Sequence, residues 1–205
     1  MIFGLDIETI PDVVDESLIP QPKYGNTKDP KKREIIDATF KETGLIKTMS
    51  TDPFLCQAAS IALYNPDKQI IYSQRNMSEK EMLTKFFEYI FPIPSHKIIT
   101  QYGRKFDCKV LWARSVLFNM ENVPVNIYYL WLRARWKTES THVDIYEHYE
   151  KPLDFIAKRV LNEDKGDEGS RMVELVKSGK WDEIESYNMD DSRMAYKLAA
   201  RAGLL

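Results

Sequence analysis

A mixed α/β sheet with helices on both faces is the fold class that this 205-residue sequence predicts. Three observations carry it. A short apolar segment opens the chain. A hairpin follows, in which CQAASIALYN and QIIYSQ flank Asn65-Pro66-Asp67-Lys68. From there strands alternate with helical patterns up to a long final helix.

The first strand is MIFGLDIETIPD. With period two, Phe3, Leu5 and Ile7 point to one side, and Gly4, Asp6 and Glu8 to the other. Pro11 and Asp12 end it. The next segment is polar, rich in proline, and basic from Lys23 to Arg33, so it reads as loop. REIIDATFKETG predicts a short helix stopped by Gly44, with irregular chain up to Pro53. After the hairpin, Ser78 and Glu81 stand at capping-box spacing before a stripe of Met82, Leu83, Phe86, Phe87 and Ile90. KIITQ is a strand and FDCKVLWARSVLF a helix. Residues 119–140 are aromatic-rich and carry no clear period. HVDIYEHY reads as a short strand running into a turn or helix. PLDFIAKRVL, SRMVELVKSG and the segment from Trp181 are helices, with Gly179 and Gly203 as stops. The chain reads as one domain over residues 1–205, with a polar and basic insertion at about 12–54.

Lysine plus arginine number 29 and aspartate plus glutamate 31, a formal net charge of -2. That is not the footprint of a protein that coats nucleic acid nonspecifically. It leaves room for an enzyme that holds nucleic acid in a local groove. Cys56 and Cys108 are the only cysteines and form no CxxC pair, which speaks against a structural zinc or a disulfide scaffold. There is no apolar run of membrane-spanning length and no signal-peptide pattern, so a cytoplasmic protein with no membrane partner is expected.

Asp6 and Glu8 lie near the carboxyl end of a strand, where ligands of such sheets gather. Two like charges on one strand face repel unless a cation compensates, and hard carboxylate oxygens suit Mg²⁺ or Mn²⁺. Asp107 follows a strand and a glycine-containing turn, at a helix N-terminus; a favourable helix-dipole contact explains it equally well. On the final helix Trp181, Ile184, Tyr187, Met194, Leu198 and Ala202 form an apolar stripe, and Asp191 falls on it. Asp190 is turned away by about 100°. Burying Asp191 requires a partner. Lys197 and Arg193 share its face poorly, so a metal is the better account. Tyr187 lies one turn from Asp191, where its hydroxyl could orient an attacking water; a plain core aromatic is the alternative.

This set resembles the DEDD 3'-5' exonucleases of the tyrosine subtype. It is most similar to the predicted 3'-5' exonucleases related to the proofreading domain of family B DNA polymerases. The family's D-x-E motif stands here in LDIETIPD, its N-G-x-x-F-D motif as QYGRKFD, and its Y-x-x-x-D motif as YNMDD at residues 187–191. HVDIY from His142 and the segment DKGDEGSRMVELV also match. Arg135-Trp136 resembles a basic–aromatic pair that precedes H-V-D. Tyr102 stands where the family has asparagine. The resemblance implies a ribonuclease H-like fold with a mixed five-stranded sheet. It implies two metal ions, with Asp6, Glu8 and Asp191 on the first, Asp6 bridging, Asp107 on the second and Tyr187 positioning water. Ile7, Thr9, Gly103, Arg104, Phe106 and Arg135 are the implied substrate contacts. The implied substrate is the 3' end of single-stranded DNA, with RNA open, and the products are 5'-nucleoside monophosphates. A polymerase or another replication or repair protein acting in trans is the implied partner.

Two alternatives remain on the same residues: an inactive member that only binds nucleic acid, and a structure-selective or RNA-directed nuclease of the same fold. His142 and His148, six apart, make a poor metal pair and read as structural.

Overall fold

The computed structural model describes residues 1–133, 141–165 and 171–205. Its sheet has five strands: β1 (Ile2–Pro11), β2 (Cys56–Asn65), β3 (Lys68–Ser73), β4 (Lys97–Thr100) and β5 (His142–Asp144), in the order β3-β2-β1-β4-β5. β1 pairs antiparallel with β2 and parallel with β4, and β4 pairs parallel with β5. The opening strand is therefore the centre of the sheet, so both its faces must be covered.

Alternation along β1 sorts the two faces. Phe3, Leu5 and Ile7 pack with Ile61, Leu63 and Ile98 under helix α3 (Glu79–Ile90) and helix α4 (Asp107–Leu117). The opposite face receives helix α9 (Trp181–Arg201), where Ile99 meets Met194, Ala195 and Leu198. Neighbouring residues of β4 thus feed different cores, which is why Ile98 and Ile99 are both apolar instead of alternating with a polar residue. Each fully buried large apolar side chain here contributes about 1.5–3 kcal/mol by leaving water.

The capping box of α3 forms: the Ser78 hydroxyl accepts from the Glu81 amide, and the Glu81 carboxylate accepts from the Ser78 amide. Gly179 and Gly203 end their helices with φ of 67° and 69°, the left-handed conformation glycine tolerates.

Between β1 and β2 the structure departs from the sequence reading. Helix α1 (Pro30–Thr39), a wider π-type turn (Phe40–Gly44) and helix α2 (Leu45–Ser50) run without a break. Asp29 caps this rod by accepting from the Lys31 amide, with Pro30 at the first position. Gly44 is not a stop. It sits in right-handed helical geometry, and the chain continues because the far end is anchored to the sheet: Thr9 Oγ1 donates to the Ser50 carbonyl at 2.7 Å. Tertiary contact overrides the local signal.

The segment of uncertain state also folds helically where it is described. Helix α5 (Val123–Ile127) leads into a π-type turn (Tyr128–Leu132) whose Trp131 is fully buried. Short helices α6 (Tyr146–Tyr149), α7 (Leu153–Ile156) and α8 (Met172–Lys177) complete the order. Among the described residues no helix is long and apolar enough to cross a membrane.

Candidate active site

Gly4 explains how the site is assembled. It lies on the same face of β1 as Asp6 and Glu8, and a Cβ there would overlap the backbone carbonyl of Ser192. The missing side chain lets α9 lie directly on the strand. Asn188 adds a second tie, donating through Nδ2 to the Ser60 hydroxyl on β2. With α9 held this close, carboxylate oxygens of Asp6, Glu8 and Asp191 come within 4.8 Å of one another. A bulge between Glu8 and Thr9 then turns the end of the strand. Asp107, the first residue of α4, lies outside that close trio, yet the charges of Asp6 and Asp191 reach it.

Asp107 and Asp191 are buried; Asp6 and Glu8 are half-buried. Burial, and then the charge of Asp191, pushes the Asp6 carboxyl up to about 8, with Lys165 opposing. Burial followed by Asp6 and Asp191 raises Glu8 well above the carboxylate range. Asp107 is raised by burial and then by Asp6 and Asp144. Burial also raises Asp191, against Lys165 and a hydrogen bond from Tyr187. Asp107 Oδ2 and Asp191 Oδ1 are buried and find no hydrogen-bond partner among the described residues. Carboxylates packed this way need either protons or a cation. An all-oxygen donor set with two orphaned, buried oxygens fits a hard divalent ion such as Mg²⁺ or Mn²⁺.

One residue of the cluster escaped the sequence reading. The Asp191 partner is Lys165, whose ammonium lies 2.5 Å from Oδ2 and 5.1 Å from the centroid of the Tyr187 ring. Burial opposes its charge, but Asp191 and Tyr187 outweigh this and raise its pKa. The two cations weighed from the sequence, Arg193 and Lys197, both bind Glu163 instead, at 2.7 and 2.8 Å. Lys165 stands in irregular chain, where no local pattern shows which carboxylate a lysine will reach. The phenol of Tyr187 is raised by burial and by Asp191, so it stays protonated and donates to Asp191.

The turn carrying Asp107 is built around Asp144 at the end of β5. Its Oδ1 accepts from the amides of Tyr102 and Tyr146 at 2.8 and 3.1 Å, and Oδ2 from the Arg104 amide at 2.9 Å. Gly103 is required by close approach, since a Cβ would collide with the Thr100 side chain. Arg104 directs its guanidinium to the carbonyls of Trp131 and His142, at 2.7 and 2.8 Å. His142 is buried against Thr100 and the Trp131 carbonyl; burial, reinforced by Arg104, lowers its pKa to about 3 and keeps the ring neutral.

Of the six expected substrate contacts, Ile7, Thr9 and Phe106 line one groove of about 590 Å³ that opens beside Glu8. Ile46 and Lys47 of α2 and Met172 of α8 form its other walls. Gly103 and Arg104 belong to the turn that holds Asp107. Arg135 lies outside the described residues.

Residues 55–205 match the family model described as a predicted 3'-5' exonuclease related to the exonuclease domain of PolB. That span includes Asp107, Tyr187 and Asp191 but not Asp6 and Glu8. No curated protein matches the chain. Among solved structures, the family B DNA polymerase from the hyperthermophilic archaeon Pyrobaculum calidifontis is similar, at a TM-score of 0.63 and 15% identity over 98% of this chain. The chain spans 24% of that polymerase's length. The shared architecture is the ribonuclease H-like fold, a mixed five-stranded sheet with helices. By its own sequence, the chain belongs to the family of predicted 3'-5' exonucleases related to the exonuclease domain of PolB.

Proposed function

We propose that the protein is a divalent-metal-dependent exonuclease. It would hydrolyse phosphodiester bonds from the 3' end of single-stranded DNA and release 5'-nucleoside monophosphates. The observation that carries this reading is the convergence of Asp6, Glu8 and Asp191, with Asp107 behind them, beside an open groove. Asp6, Glu8 and Asp191 would hold one ion, Asp6 would bridge, and Asp107 would hold a second. Two such ions supply a water of lowered pKa and neutralise charge on the phosphate and the leaving 3' oxygen.

The chain's own residues do the rest. Tyr187, kept as a neutral phenol by burial and by Asp191, lies one turn from that carboxylate and would orient the attacking water. Lys165 offsets the charge of Asp191 and stands ready to meet a phosphate oxygen once a strand enters. Ile7, Phe106 and Ile46 give the groove an apolar lining suited to the face of a terminal base, and the Thr9 hydroxyl is tied back to Ser50, which keeps that wall rigid. Because the raised carboxyls hold protons when no cation is bound, metal binding releases protons and strengthens with pH. The likeness to a polymerase makes a polymerase acting in trans a natural partner.

The test uses single strands labelled at the 5' or the 3' end, in Mg²⁺, Mn²⁺ or EDTA. The 3' label should be lost at once as a mononucleotide, while the 5' label remains on a shortening ladder. EDTA should stop both, and closed circular single strands should resist. Nicking of the circle would replace this reading with an endonuclease.

A further inference from the structure

Tyr102 is anomalous in two ways. It has φ of 67°, a left-handed conformation that a bulky side chain rarely adopts and that asparagine or glycine would accept freely. It is also 42% exposed, so no core demands the ring. The ring meets that of Tyr146 edge to face, at 4.9 Å between centroids. The Lys105 ammonium lies 5.1 and 5.5 Å from the same two rings. Both tyrosines follow parallel strands, β4 and β5, and both have their amides on Asp144 Oδ1. They therefore stand at the same edge of the sheet as the acids. The Tyr102 carbonyl accepts from the Phe106 amide at 3.0 Å, so one turn of chain separates the pair from the groove beside Glu8.

We propose that Tyr102 and Tyr146, with Lys105 beside them, form a stacking step for a base of the single strand upstream of the two nucleotides that flank the scissile phosphate. The proposal rests on the exonuclease reading and adds to it a second contact, beyond the groove that takes the terminal nucleotide. The chemistry suits this ligand. An aromatic face accepts any base, and a lysine at its rim meets the phosphate that accompanies the base. A ring held in a strained backbone conformation, in a place where it fills no core, is retained for what it touches outside the protein.

The test sets binding against stability. Tyr102→Asn relieves the backbone and removes the ring, so its thermal midpoint should equal or exceed that of the unaltered protein. Its affinity for a 5'-fluorescein dodecamer of thymidylate, read by anisotropy in Ca²⁺, should fall about tenfold, the loss expected for one base–aromatic stack. Tyr102→Phe should restore affinity. In Mg²⁺ the rise in KM should be greatest for the dodecamer and shrink as the strand is shortened to a dinucleotide, with kcat changing less than KM. Undiminished dodecamer affinity in Tyr102→Asn overturns the step. So does a loss that Tyr102→Phe shares, or one that is the same for every strand length, because the effect would then act through the turn that holds Asp107. Failure of the unaltered protein to bind the dodecamer also overturns it. Binding by the unaltered protein without hydrolysis in Mg²⁺ or Mn²⁺ would instead overturn the exonuclease reading alone.

Discussion

The protein buries carboxylates in two places and treats them in opposite ways. Glu79, 6% exposed at the start of α3, accepts from the Ala58 amide at 2.8 Å and from two nitrogens of Arg114. The third nitrogen of Arg114 donates to Asp12 at the end of β1. Every charge in that network has a partner of the other sign, and the network joins β1, β2, α3 and α4. Asp6, Glu8 and Asp191 on the other face of β1, with Asp107 from the start of α4, share one lysine, and two buried oxygens have no partner among the described residues. The first site is built for the resting fold. The second is a set of repulsions that the fold tolerates and that a cation would relieve.

The largest effect should come from removing the residue at the centre of the repulsion. Asp6→Ala should lower strand cleavage by at least about a thousandfold, the order expected when a central electrostatic group is lost. Stability at pH 8 without metal should hold or rise, because a like charge has gone. Initial rates and thermal melts on the same preparation decide it; a variant that both cleaves normally and melts lower would make the acids structural.

Arg114→Met should do the reverse. Leaving Glu79 buried and unpaired costs about 3–5 kcal/mol, visible as a lower urea midpoint. The double variant Arg114→Met, Glu79→Leu should recover much of that loss, since an apolar pair of similar volume can replace a buried ion pair. A double variant no better than the single would mean that Arg114 acts mainly through Asp12.

Tyr187→Phe tests whether the phenol belongs to the reactive site or to the small cluster of Met172, Leu175 and Ile184 that packs beside it. Cleavage should fall about ten- to a thousandfold, with stability nearly unchanged because one polar contact is lost. Full turnover in single-turnover cleavage would assign Tyr187 to packing.

A further effect is on pH dependence. Folded, Asp6 titrates at about 8; unfolded, near its ordinary 3.8. Between those values the unfolded chain has released its proton while the folded protein retains it, so rising pH favours unfolding. The metal-free protein should therefore be most stable against this group below about pH 4 and lose several degrees in melting temperature by pH 8 or above. Mn²⁺ or Mg²⁺ should flatten the slope by taking the proton's place. Melts at stepped pH in EDTA and in Mn²⁺ read both; an identical slope in the two would separate metal from the acids.

Local rules made much of this legible. Alternation along β1 puts Asp6 and Glu8 together on the face away from Phe3 and Leu5, and helical spacing puts Tyr187 and Asp191 one turn apart. Ser78 and Glu81 cap α3 across three residues. Each depends on neighbours along the chain, whose geometry the backbone repeats. Only the tertiary structure decided the rest. Gly44 continues a helix because Ser50 is anchored to Thr9, far away in sequence. Gly4 matters because the Ser192 carbonyl lies against it, and Asp144 matters because the turn at Tyr102 and Arg104, far away in sequence, brings two amides to it. Lys165, not Arg193 or Lys197, pairs with Asp191 because Glu163 draws the latter two away. A long charged side chain is equally at home in water, so its sequence position carries no record of which partner it will meet; that choice is made by where the packed elements leave a carboxylate within its reach.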